Sequence, residues 1–132
     1  MTPVFIDAPV WRDYFAGRSP ELGDRVDELI AQRAARVSAA SLQELLAEAR
    51  SPAACDRLAE ALLGVYAPED GGRVARQAGR IASRLRAEAL PALPPLRLAA
   101  AAAALEARAP LLTSDAALHA VARLFPLKIL CA

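Results

Sequence analysis

Three acids stand out in the chain for the chemistry they could support together. Asp7 follows Val4-Phe5-Ile6, Glu44 closes Ser41-Leu42-Gln43-Glu44, and Asp115 follows Leu111-Leu112-Thr113-Ser114. Each sits where a predicted strand ends and a predicted helix begins. Helix N-termini favour carboxylates through their free amides and the macrodipole. Carboxylates gathered without Cys or His ligands suit a hard cation, Mg2+ or Mn2+. An ion held in this way activates water and stabilises the charge that builds up in phosphodiester cleavage. Each acid also has a purely structural explanation. Asp7 and Asp115 fit as N-caps, and Glu44 fits as the last member of a capping box, reaching back to the Ser41 amide. The structural and chemical roles are compatible.

Such acids meet only if the elements behind them share one sheet. Val4-Phe5-Ile6 is a continuous apolar run and reads as a strand buried on both faces. Strands of that kind belong to parallel sheets covered by helices. In open parallel sheets, ligands sit beyond the carboxyl ends of the strands, which is where Asp7 would stand. Further strands are predicted at residues 36–40, 65–68, 109–113 and 127–130. Between them run helices with recognisable starts and stops. Asp7 caps the first, which Gly17 can end; Ser19-Pro20 opens the second, and its stripe is Leu22, Val26, Leu29 and Ile30. Ser41 opens the third and Pro52 the fourth. A long helix over residues 70–89 carries Val74, Ala78, Ile81 and Leu85 on one face. An alanine-rich helix covers 95–108, and Ser114-Asp115 begins the last. This alternation predicts an α/β fold with three layers, α/β/α, around a short and mostly parallel sheet.

Length and composition set the frame. At 132 residues one domain, 1–132, is the expectation. A chain 55% hydrophobic and 23% charged folds rather than staying disordered. The formal net charge is +1, so any affinity for nucleic acid must come from a local patch. Cys55 and Cys131 lie far apart without metal-ligand spacing, which fits a reduced, cytoplasmic protein. No basic segment precedes the first apolar residues, so no signal peptide is expected. The longest apolar run, residues 98–105, is too short to span a bilayer, and no membrane partner is expected.

Two surface patterns admit more than one role. Trp11, Tyr14 and Phe15 lie near one face of the first helix, as core or as a hydrophobic contact for a partner or second subunit. Arg73, Arg76, Arg80 and Arg84 repeat along the long helix, as a solvated face or as a track that grips phosphates. His119 lacks a Ser or Cys partner in a nucleophile motif. The six glycines form neither a dinucleotide fingerprint nor a P-loop.

Read in series, three segments resemble the PIN-domain family of the VapC toxin type. Phe5-Ile6-Asp7-Ala8-Pro9-Val10-Trp11 resembles its opening Asp-Thr/Ser-x-x-Trp motif. Leu42-Gln43-Glu44-Leu45-Leu46 resembles its Glu-Leu-Leu helix, and Ala109-Pro110-Leu111-Leu112-Thr113-Ser114-Asp115 resembles its closing strand. The resemblance covers nearly the whole chain. It implies a metal-dependent endoribonuclease acting on RNA, with Asp7, Glu44 and Asp115 as catalytic and Mg2+- or Mn2+-binding residues. It further implies a homodimer restrained by a small antitoxin protein.

Two positions depart from the family. Ala8 stands where a Thr or Ser would help order the carboxylates. Arg97 stands where a further acid is expected, counting back from Ala109-Pro110. A cation in the first turn of a helix opposes the macrodipole by a few tenths of a kcal/mol, roughly, unless its guanidinium finds the acids. Replacing an acid by arginine changes the local charge by two units. One unit pair at about 4 Å is worth on the order of 4 kcal/mol at an effective dielectric near 20. The expectation is therefore PIN architecture with weakened metal chemistry, or with no metal at all if Arg97 fills the site. The alternatives are a non-catalytic PIN-like protein that binds RNA or a partner, and a receiver-like signalling domain using Lys128 beside its acids.

Overall fold

The structure, a computed structural model, describes residues 2–132. A three-residue run is stable as a strand when both edges are paired and both faces are covered. β1 (Val4–Ile6) meets both conditions. It pairs in parallel with β2 (Ala35–Arg36) on one side and β3 (Leu111–Thr113) on the other, and all three of its residues are buried. β4 (Ile129–Cys131) pairs in parallel with β3, so the sheet order is β2-β1-β3-β4.

Side chains alternate across a strand, and this divides the interior in two. Val4, Ile6 and Leu112 face one core, while Phe5 and Leu111 face the other. The first core is closed by α1 (Ala8–Phe15), α2 (Pro20–Ala31), α3 (Ala39–Ala47) and α4 (Pro52–Leu62), through Trp11, Val26, Leu45 and Leu62. The second is closed by α5 (Gly71–Ala87), α6 (Pro95–Glu106) and α7 (His119–Leu124), through Ile81, Leu85, Ala101 and Val121. The result is a three-layer α/β/α fold with a four-stranded parallel sheet. No helix among the described residues is long and apolar enough to cross a membrane.

α6 carries alanine at every position from 99 to 104, and Ala100 to Ala104 are all buried. Small side chains let it lie close against both α5 and α3. Its first turn is thereby brought to the end of the sheet where β1 and β3 finish. The strand order changes direction between those two strands, and that is where an open parallel sheet leaves its crevice.

The largest departure from the sequence reading lies between residues 36 and 68. β2 stops at Arg36, because Val37 pairs instead with Tyr66 in an isolated parallel bridge. The Val37 amide donates to Val65 O at 2.8 Å and Val37 O accepts from Ala67 N at 3.1 Å. Leu63–Val65 is a 3-10 turn, so the predicted strand at 65–68 is reduced to that one bridge. Ser38 is then free to cap α3, accepting from Ser41 N at 3.1 Å. The helix begins before Ser41, so the Ser41–Glu44 capping box does not form and Glu44 is released for other contacts.

Glu69 lies beside the same helix start, near the Ala39 amide. Burial pushes the Glu69 carboxyl up, and the nearby Ala39 amide only partly opposes this. Its Oε2 is buried without a hydrogen-bond partner. A carboxyl raised in the folded state loses stability as pH climbs through and above its unfolded value. Glu69→Gln, which removes the ionisable group at nearly the same size, should therefore stabilise the protein at pH 7. In urea unfolding the gap should close as pH falls below the ordinary carboxylate range; a variant less stable at pH 7 would contradict this.

Candidate functional site

Asp7 follows β1 directly, its amide still in the ladder and donating to Leu112 O at 2.9 Å. It is fully buried. As the N-cap of α1, its Oδ1 accepts from Ala8 N at 3.0 Å, and its Oδ2 accepts from the Thr113 hydroxyl at 2.7 Å. Thr113 ends β3, and its Oγ1 also accepts from Asp115 N at 3.0 Å. Asp115 turns its Oδ1 to Ala117 N at 2.9 Å, capping the 3-10 turn before α7. One hydroxyl thus ties together the acids at the ends of two neighbouring strands.

Arg97, the third residue of α6, enters this arrangement from above the strand ends. Its Nη1 donates to Asp7 Oδ1 at 2.8 Å and its Nη2 to Asp7 Oδ2, a fork-to-fork pair. Nη2 also donates to Asp115 Oδ2 at 3.1 Å, and Nη1 lies 3.7 Å from Glu44 Oε1. Only 7% of Arg97 is exposed. Burial alone would lower the Arg97 guanidinium, but Asp7, then Glu44 and Asp115, outweigh it and hold it above its ordinary value. It is charged at every pH at which the protein is folded.

The count of acceptor sites at Asp7 decides what else can bind there. A carboxylate offers about four lone-pair sites. Ala8 N, Thr113 Oγ1 and the two Arg97 nitrogens supply a donor to each. Glu44 is divided between two arginines, since its Oε2 lies 3.3 Å from Arg12 Nη2 while Oε1 faces Arg97. Arg12 is held in turn by Glu48, at 2.7 Å, and that hydrogen bond raises its guanidinium. Among the described residues, no group of three or more Asp, Glu, His and Cys side chains is placed to hold a metal ion. The donor set does not fit a divalent cation while Arg97 keeps this position.

Other residues singled out in the sequence fall elsewhere. Trp11 is 1% exposed and belongs to the core, so any contact surface on α1 consists of Phe15, 48% exposed, and the edge of Tyr14. The Tyr14 hydroxyl donates to Asp27 at 2.5 Å. Arg73, Arg76, Arg80 and Arg84 are exposed on α5 and touch none of the three acids. Arg73 instead pairs with Glu106 at 3.1 Å. Glu106 lies nine residues beyond Arg97 on α6, a rise of about 14 Å. Lys128 precedes β4, at the N-terminal end of the parallel strands, whereas Asp7 and Asp115 follow the C-terminal ends of β1 and β3, and it makes no ion pair with the acids. His119 is exposed.

Arg12, Glu48 and Thr113 escaped the sequence reading. The four-residue spacing of Glu44 and Glu48 puts both on one face of α3 and was the available signal for Arg12. For Thr113 the signal was its place as the last residue of the closing strand.

The family model described as the PIN domain matches residues 4–124. No curated protein matches the sequence. Solved structures do resemble it in fold. DNA-bound VapBC from Salmonella typhimurium gives a TM-score of 0.77 at 17% identity, covering 99% of this chain and 98% of that one. VapBC2 from Rickettsia felis, bound to a promoter DNA fragment, gives 0.76 at 14%, covering 98% of each. VapBC-1 from nontypeable Haemophilus influenzae gives 0.75 at 19%, covering 97% and 96%.

Removing one member of a buried ion pair strands the other and costs about 3–5 kcal/mol. Arg97→Met should lower the free energy of urea unfolding at pH 7 by that amount. Stability equal to the parent would mean that Asp7 does not need its guanidinium.

Proposed function

This chain belongs to the PIN domain family, and from that premise we propose that it is a VapC-like toxin whose nuclease chemistry is held off by Arg97. Its fold likeness to the VapBC structures supports the toxin reading, with a small antitoxin protein as partner and a homodimer as the working form in the cytoplasm. The family's substrate class supports RNA. Asp7, Glu44 and Asp115 are the residues assigned to catalysis and metal binding in that architecture. Mg2+ or Mn2+ is the cofactor that their oxygen donors would suit.

The observation that carries the reading is the saturation of Asp7. Both of its oxygens already hold two donors, and one donor on each comes from Arg97. A divalent ion would have to displace a charge-assisted fork and sit beside a fixed positive charge. At about 4 kcal/mol for one unit pair, the loss is roughly three powers of ten in metal affinity. The same observation favours a second reading, in which the chain has kept RNA or partner binding and given up cleavage altogether.

The two readings are tested together by incubating purified protein with RNA in Mg2+, in Mn2+ and in EDTA. The expected result is no metal-stimulated cleavage, and no difference between the parent and Asp7→Asn. Cleavage that Mn2+ stimulates and Asp7→Asn abolishes would overturn the claim that Arg97 disables the site.

A further inference from the structure

At the end of the sheet away from the acids, where β1, β3 and β4 begin, an open cleft of about 780 Å3 separates the start of α5 from the loops leading into β3 and β4. Its charged lining is Arg73, Arg80, Arg108, Lys128 and a single acid, Glu106. Glu106 is already satisfied. Its Oε1 accepts from Arg73 at 3.1 Å and its Oε2 from Gln77 at 2.8 Å. Arg80, Arg108 and Lys128 make no ion pair and no side-chain hydrogen bond among the described residues, and all three are exposed. Three uncommitted cations therefore face one hollow in a chain whose net charge is only +1.

The shape distinguishes a track from a pocket. A second hollow of about 350 Å3 shares Arg73, Gln77, Arg80 and Glu106 with the first and adds Arg76. From Arg73 to Arg84 the helix rises about 16 Å, so the positive surface is extended. A repeating anion matches it better than a compact one. The Phe125 ring lines the same cleft, with the Arg84 guanidinium over it at 5.9 Å from the ring centre. Cationic side chains that follow a backbone, interleaved with an aromatic ring, form the usual surface for single-stranded nucleic acid. An acidic peptide would use the charges but has no base for the ring.

We propose that this cleft binds the phosphodiester backbone of single-stranded RNA, at the end of the sheet opposite the three carboxylates. Only the choice of RNA rests on the functional reading above; the cleft itself does not depend on the state of the acid site. RNA binding and carboxylate chemistry are then separate in space, and the first survives loss of the second.

The test is fluorescence anisotropy with a labelled uridine 12-mer, in EDTA so that cleavage plays no part. The parent should bind at low salt. The double variant R80Q/K128Q should bind at least about tenfold more weakly, and its salt slope should fall by about 1.4, the value for two lost phosphate contacts on a single strand. The charge-matched control R50Q/R57Q, exposed on and beside α4, should bind as the parent does. Circular dichroism on each variant checks that the fold is kept. No binding by the parent would overturn the proposal, as would equal weakening by both double variants. Displacement of the RNA by poly-glutamate at equal charge concentration would overturn the choice of ligand.

Discussion

A buried guanidinium forked onto a buried carboxylate governs this molecule. Asp7 has no exposure, and Arg97 almost none. Taking both charges from water carries a desolvation cost that their attraction repays only with good geometry and with every remaining lone pair satisfied. Here the geometry is bidentate and Asp7 is fully subscribed. The pair need not make the fold more stable than an apolar pair would. It does tie α6 to the ends of β1 and β3, because neither charge can leave the other without penalty. The polyalanine stretch of α6 is what lets the helix come near enough for that tie.

Around the pair, charge is distributed unevenly. Three carboxylates meet one guanidinium, so a formal charge of −2 remains at that end, and the neighbouring Arg12–Glu48 pair adds no net charge to it. The opposite end carries uncommitted arginines and Lys128. A net charge of +1 conceals a molecule with an acidic end and a basic end. In the acidic end, the oxygens that would otherwise draw a cation are occupied by the protein's own cation, which cannot be titrated away.

Much of the architecture was legible in the sequence because its signals were local. Val4-Phe5-Ile6 is too apolar and too short for anything but a covered strand, and Asp7 after it is a helix cap. Asp115 could be placed near Asp7 because both close strands of one parallel sheet. The arginine stripe could be placed on an outer face from its spacing alone. The region from 36 to 68 was not legible for the opposite reason. Ser38 and Ser41 are both competent caps, and the choice between them is made by Tyr66, whose bridge to Val37 ends β2 early. No local pattern announces a bridge across that distance. The contact of Arg12 with Glu44 and Glu48 is likewise tertiary. Arg97 was conspicuous by contrast with a family pattern, whereas its burial depended on how closely α6 could pack.

The central claim, that Arg97 stands in for a cation among three carboxylates, is met most directly by Mn2+ binding measured with electron paramagnetic resonance at neutral pH. The account predicts that free Mn2+ signal persists with the parent protein up to millimolar metal and is lost to binding at far lower metal in Arg97→Asp. Tight Mn2+ binding by the parent, abolished by Asp7→Asn, would contradict it.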